Sequence, residues 1–369
     1  MHKVFASPLR YTQGPGATRE LGNEMKGLGL HGPVCIIAGR SARELLMPIW
    51  ESAFAAEGRN FQVHPFGGEC SRAEIALGRA SAESSGATVI LAAGGGKAID
   101  TARAIAAEMN IPCVVCPTIA STDSPCSALS VIYTEAGVVE SIRLFEHNPA
   151  LVLVDSEVIA KAPLRLLVSG MGDALSTWFE ARACMRSGAP NLRGGTATRA
   201  SLAIAELCWK ILVEDGTAAI DSMNSGSITP ALERIIEANT LLSGLGFESA
   251  GLAAAHSIHN GLTIASEVRR FYHGEKVAFG TLAQLVLEKA PTDEIQQVLG
   301  FCKKVGLPVT LGAIGLPEAS AELILKIAER SVIAGESIHN MPFPVTAELV
   351  AKAIHDANVM GSEWSQKQV

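Results

Sequence analysis

Along the first 160 residues, short aliphatic and β-branched runs alternate with stretches whose apolar positions recur every three or four residues. A continuous apolar run reads as a strand covered on both faces, and the slower recurrence as a helix with one face on a core. The predicted strands are VCIIAG (34–39), FQVHPF (61–66), ATVILAA (87–93), CVVCPT (113–118) and LVLVD (151–155). Between them, SARELLMPIWESAFAAEG (41–58) is a predicted helix that Pro48 should kink. The next helix opens at Ser71 with Glu74 three residues on, the pattern of a capping box, and KAIDTARAIAAEM (97–109) is a third helix. This alternation predicts βαβ crossovers and a parallel sheet.

After KAPLRLL the texture changes. Segments 170–186, 197–214, 230–243, 250–261, 275–289, 293–305, 319–334 and 346–360 are Ala- and Leu-rich with helical period, and β-branched runs nearly vanish. TAAIDSMNSGSITP (217–230) reads as a surface loop. The expected division is an α/β domain over 1–160 and a helical domain over 161–369, with the groove between them as the default ligand site.

Composition narrows the class. Hydrophobic residues make up 48% and charged residues 18%, as in a well-buried soluble protein. The 30 basic and 37 acidic side chains give a net charge of −7, which argues against a nucleic-acid backbone or an anionic membrane as the main partner. MHKVFASPLRYTQG holds no apolar core of signal-peptide length, and no apolar run reaches a membrane span, so the expected location is the cytoplasm. The eight cysteines have no disulfide-scaffold rhythm, which predicts reduced thiols. Cys113 and Cys116 form a lone CxxC, but on a strand positions i and i+3 face opposite ways, so neither a zinc nor a redox site is expected there.

In LAAGGGKAIDTARAIA three glycines stand between a buried strand and a helix start. Such a turn lets a ligand approach backbone N–H groups at the positive end of a helix, which favours phosphate. Two known templates fail: Leu91 and Ala98 occupy the Gly and Ser/Thr places of a P-loop, and Ile99 takes the last glycine place of G-x-G-x-x-G. A plain tight turn is the competing reading, although Lys97 and Asp100 add a cation and a carboxylate to the first helical turn.

AAAHSIHNGLT (253–263) carries two of the chain's nine histidines, His256 and His259. Three apart on a helix they differ by about 60°, so both face roughly one way. A single buried histidine is usually a hydrogen-bonded core residue; two on one turn point to a metal or to catalysis. His273 in FYHGEKVAFG and Asp173 in VSGMGDALSTWFEA could complete a site. Asp173 could instead cap a helix N-terminus. A divalent ion such as zinc accepts nitrogen and carboxylate ligands together, and a catalytic site leaves its fourth position open.

Taken together, GGGKAIDTARAIA, PTIASTDSPCSALSVIY, GMGDALSTWFEARA, GLAAAHSIHNGLT and YHGEKVAFGTLAQLVLE resemble the metal-dependent glycerol dehydrogenases of the iron-containing alcohol dehydrogenase superfamily. The similarity runs from FASPLRYTQG nearly to GESIHNMP. It implies an α/β N-terminal domain with a parallel Rossmann-like sheet followed by an all-α C-terminal domain, an architecture shared with dehydroquinate synthase. It also implies oxidation of glycerol to dihydroxyacetone with NAD and zinc, in cytoplasmic homo-oligomers that are often octameric. By position, Asp173, His256 and His273 would be the metal ligands, and His259 would line the site. Iron-using relatives carry a histidine where Thr177 stands here. Gly95, Gly96, Lys97 and Asp100 match the cofactor's diphosphate turn; Thr118, Ser121, Ser127, Leu129 and Tyr133 match the loop around the nucleotide; Asp123 matches a contact to the substrate hydroxyls. Leu129 and Tyr133 could equally be ordinary strand residues.

One position departs from the family. Where an aspartate commonly holds the adenosine ribose, this chain has Gly39, followed by Arg40. Loss of the carboxylate removes repulsion of a 2′-phosphate, and arginine pairs with phosphate in a forked geometry, so NADP use is expected alongside NAD. The expected chemistry is hydride transfer from a vicinal diol polarised by the metal, with Asp123, His256 and His259 as the catalytic group and no obvious general base. A dehydroquinate-synthase-like lyase, a glycerol-1-phosphate dehydrogenase and a non-catalytic nucleotide-binding protein are the alternatives.

Overall fold

The computed structural model describes residues 2–366. Eight strands fall in the first part of the chain: β1 (Tyr11–Gly14), β2 (Val34–Ala38), β3 (Phe61–Pro65), β4 (Val89–Gly94), β5 (Cys113–Pro117), β6 (Leu129–Tyr133), β7 (Val139–Leu144) and β8 (Leu151–Asp155). Helices α1 (Leu21–Gly27), α2 (Arg40–Ala55), α3 (Arg72–Ser84) and α4 (Gly96–Met109) lie among them. The rest is helical: α5 (Ser156–Ile159), α6 (Leu164–Ser187), α7 (Arg199–Ser225), α8 (Pro230–Glu237), α9 (Ser243–Ala250), α10 (Ala254–Leu262), α11 (His273–Leu287), α12 (Thr292–Val305), α13 (Ala321–Ser331) and α14 (Ala347–Gln366). Among the described residues no helix is long and apolar enough to cross a membrane.

Six strands form one parallel sheet in the order β1-β8-β5-β4-β2-β3. From β2 the chain crosses outward to β3, and from β4 it crosses the other way to β5. The carboxyl ends of β2 and β4 therefore flank the point where the winding reverses, the place where open α/β sheets hold ligands. The sheet separates two cores. Ile36, Leu91, Val114 and Leu153 pack toward α1 and α2, with Trp50 and Phe54. Ile37, Ile90, Val115 and Val152 pack toward α3, α4 and the helical region, with Ile99 and Phe179. Cys113 belongs to one core and Cys116 to the other, as strand alternation requires.

Several elements differ from the pattern-based expectation. β1 and the β6–β7 hairpin have no strong apolar run, because β1 is half-buried and β7 is largely exposed. The segment expected as a loop from 217 is mostly the end of α7, which continues to Ser225 and stops at Gly226 in a left-handed cap. Its polar residues hid a buried stripe, Asp215, Gly216, Ala219 and Ser222. α2 runs on through Pro48 to Ala55. Only half of the expected capping box forms. Ser71 accepts the Glu74 N–H, whereas the Glu74 carboxylate accepts from the Gly67 N–H, 2.9 Å away. Between α8 and α9 the helix widens into a π-turn at Ala238–Leu242. Such turns recur at functional sites, and this one faces the loop after β5.

Candidate active site

α6 begins at Leu164, earlier than the pattern suggested, so Asp173 lies inside the helix and caps nothing. Its carboxylate is buried against α10 and α11, and glycines explain the close approach. A Cβ on Gly274 would lie 1.8 Å from the Ser169 carbonyl oxygen, and one on Gly172 would lie 2.3 Å from the Gly274 carbonyl oxygen. Only residues without side chains let the first turn of α11 rest on α6, and that turn starts with His273. On the opposite flank a Cβ on Gly170 would meet the Ala120 carbonyl oxygen at 2.0 Å. That glycine seats the loop after β5 on the same helix.

Asp173, His256 and His273 come together: one donor atom from each lies within 4.8 Å of the others. Asp173 Oδ1 is 3.1 Å from His273 Nε2 and 3.5 Å from His256 Nε2, yet this buried oxygen makes no hydrogen bond. Three donor atoms converging on one point suit a divalent cation with an open position. His273 is the exposed member, at 36% of its side chain against 1% for Asp173. Thr177, one turn after Asp173, gives its hydroxyl to Ser243 and supplies no fourth imidazole.

Glu180, two turns after Asp173, is the residue that motif reasoning missed. Its Oε2 is 2.6 Å from His256 Nδ1, while Oε1 accepts the N–H groups of Ala253 and His256. Its spacing, seven residues after Asp173 on the same helix face, was its only signal in the sequence. Burial pushes the Asp173 carboxyl up, but the His273 and His256 imidazoles outweigh this and hold it well below the usual carboxylate range. Burial pushes the His256 imidazole down, but Glu180 and Asp173 raise it well above its ordinary value.

Asp123 joins the cluster from the loop after β5. Its backbone N–H donates to Asp173 Oδ2 at 3.2 Å, and its Oδ2 accepts from Ser243 Oγ at 2.9 Å. Burial and the neighbouring Asp173 charge push its carboxyl well up. The His259 imidazole is buried, with Nε2 3.1 Å from His273 Nδ1 and Nδ1 3.1 Å from Asn260 Oδ1. Burial, then His273 and Lys276, push it well down.

At the end of β4, Gly95 caps α4 with extended backbone and no side-chain cap, leaving the first N–H groups of that helix without a side-chain acceptor. A Cβ on Gly95 would meet Ile119 Cδ1 at 2.6 Å. Gly96 opens the helix, and Thr118 ties the next strand to the turn through its N–H to the Gly94 carbonyl. Lys97 pairs with Glu69 and lies 5.0 Å from the centre of the Tyr133 ring. Asp100 differs from expectation. Its carboxylate is buried and accepts from Arg103, the Ser124 hydroxyl and the Val131 N–H, so it braces the loop instead of facing a ligand. Ser127 also points inward: it has no exposed surface and donates to the Ser124 carbonyl. Ser121 is buried beside α6, accepting the Ser169 hydroxyl at its carbonyl, while Leu129 and Tyr133 sit half-buried on β6. Gly39 caps α2 with open space where a Cβ would be, and Arg40 is exposed and 3.4 Å from Glu44. Arg269 and Arg270 are exposed on a short 3₁₀ turn before His273. Two surface hollows, of about 360 and 470 Å³, contain none of the three converging ligands.

The chain is similar to known proteins over its whole length. The profile described as iron-containing alcohol dehydrogenase matches residues 8–156. A glycerol dehydrogenase of Citrobacter freundii is 49% identical over 364 residues, 99% of each chain. A glycolaldehyde reductase of Halobacterium salinarum is 44% identical over 361 residues, 98% of each. The crystal structure of glycerol dehydrogenase from Schizosaccharomyces pombe superposes with a TM-score of 0.94 at 38% identity, covering 99% of this chain and 93% of that one. Similarity of this extent, matched end to end, means that the chain belongs to the iron-containing alcohol dehydrogenase family, among its glycerol dehydrogenases.

Proposed function

We propose that the protein oxidises glycerol, or a similar vicinal diol, to the corresponding ketone, and that Asp173, His256 and His273 hold the divalent ion this requires. The observation that carries the reading is the convergence of their donor atoms within 4.8 Å, with Asp173 Oδ1 buried between the two imidazoles. One carboxylate and two imidazoles, with no fourth ligand among the described residues, suit zinc. Residues 1–160 are read as the nucleotide-binding domain and residues 161–369 as the domain that binds metal and substrate. Bound there, the ion supplies Lewis-acid polarisation of a hydroxyl, and a nicotinamide dinucleotide supplies the hydride acceptor.

The chain's own residues do the positioning. Glu180 orients His256 by accepting at its Nδ1. Asp123, whose carboxyl is pushed up by burial and by the neighbouring Asp173, offers a polar group to a substrate hydroxyl. His259 stays uncharged, with both ring nitrogens engaged, and lines the site. Gly95, Gly96 and the start of α4 suit a diphosphate, next to the β2–β4 reversal. Open space at Gly39, with Arg40 and Arg43 on the first turn of α2, leaves room for a 2′-phosphate and supports use of NADP as well as NAD. A cytoplasmic homo-oligomer, as large as an octamer, completes the proposal and is checked by light scattering.

The test is to purify the protein, measure its bound metals, and assay glycerol, other diols and glycerol phosphate with NAD and NADP. His256→Ala should lose turnover together with its metal. Substantial turnover by that variant at full metal content contradicts the assignment, and a strict preference for NAD ends the 2′-phosphate argument.

A further inference from the structure

Behind His273 lies a chain of polar groups that leads out of the metal cluster. His273 Nδ1 is 3.1 Å from His259 Nε2, His259 Nδ1 is 3.1 Å from Asn260 Oδ1, and Asn260 Nδ2 donates to Glu336 Oε2 at 2.9 Å. Arg330 pairs with the other oxygen of Glu336. The polarity of this chain follows from its last member. A carboxylate only accepts, so the Asn260 amide must turn its NH₂ toward Glu336 and its oxygen toward His259. His259 then carries its proton on Nδ1 and offers a lone pair at Nε2. His273 must in turn donate from Nδ1, which leaves the Nε2 of a neutral ring bare and facing Asp173 Oδ1.

The far end of the chain is firmly held. Just after Glu336, Ser337 donates to the Ala253 carbonyl at 2.7 Å, the Ile338 N–H donates to Ser257 at 2.8 Å, and Asn340 donates to the Leu252 carbonyl at 2.8 Å. These bonds clamp the segment onto α10, the helix that carries His256 and His259. Glu336 itself is mostly buried, with 11% of its side chain exposed.

We infer that Glu336 is a positioning residue for the metal centre: through Asn260 and His259 it holds His273 in the one tautomer and ring orientation that present Nε2 to the ion. The inference rests on reading Asp173, His256 and His273 as metal ligands. It gives His273 the support that Glu180 gives His256, from a segment distant in sequence.

The experiment measures zinc affinity by competition with a chromophoric chelator for the wild type, Asn260→Leu, Glu336→Gln and Asp173→Ala, together with the melting temperature of each metal-free protein. Asn260→Leu should bind zinc about 10–100-fold more weakly, the range for groups that orient a ligating histidine. Glu336→Gln, whose amide oxygen still accepts from Asn260, should show a smaller loss in the same direction and shifted visible bands when loaded with cobalt. Metal-free melting should stay unchanged. Equal zinc affinity in the wild type and both variants overturns the inference, as does a loss that merely tracks a lower metal-free melting temperature. Zinc binding by Asp173→Ala equal to that of the wild type overturns instead the reading of the three ligands.

Discussion

At the scale of single residues, the site works by pairing each imidazole with a partner on its far side. His256 has Glu180 at 2.6 Å from Nδ1, so Nε2 is the nitrogen left toward Asp173. Glu180→Gln keeps the shape but removes the charge and one acceptor oxygen, leaving the His256 ring free to rotate or change tautomer. Metal affinity should fall about 10–100-fold, measured by chelator competition. Unchanged affinity would mean that Glu180 only satisfies the N–H groups of Ala253 and His256. Asp173, His256 and His273 stood out as candidates, since they are polar residues in apolar helical surroundings, and the family resemblance singled them out as a set. Glu180 was not, because an acid on an amphipathic helix ordinarily reads as part of a solvated face. Asp100 and Ser127 are the converse case. They stand in the motif, yet burial turns their side chains to Arg103, Ser124 and Val131.

At the scale of elements, the cluster depends on α6 and α11 touching backbone to backbone. Gly274→Ala inserts a methyl group 1.8 Å from the Ser169 carbonyl oxygen, and 2.8 Å from the Asp173 nitrogen. Overpacking of this kind costs about 1–3 kcal/mol, occasionally more. Because it pushes apart the helices that carry Asp173 and His273, the variant should lose both melting temperature and metal affinity. A variant with wild-type stability and metal binding would show that α11 shifts freely on α6. The helices and buried strands were largely readable from periodicity. The end of α7 was not, since Asp221, Ser222 and Asn224 imitate a loop, and the helix survives there through its buried stripe. β7 escaped notice because an exposed hairpin strand needs no apolar alternation.

At the scale of the whole molecule, metal, protons and folding are linked. In metal-free protein the raised pKa of His256 contributes stability that is fully present below about pH 6.5 and lost as pH rises through the folded value. Metal binding has the opposite sign, because protons compete for the same nitrogens. The melting-temperature gap between loaded and metal-free protein should therefore widen from about pH 6 to about pH 9. A constant or narrowing gap, read by thermal scans at each pH, counts against imidazole ligation. The amino-acid sequence alone determined the alternation of strands and helices, the change to a helical second half, the glycine turn and the presence of histidines and an aspartate in apolar helical surroundings. Each of these is written in periodicity or in residue type. The tertiary structure decided which way Asp100 and Ser127 face, that Glu180 supports His256, and that Glu336 reaches His273 through two intermediaries. Those relations join residues from different helices, and only packing brings their side chains within hydrogen-bonding distance.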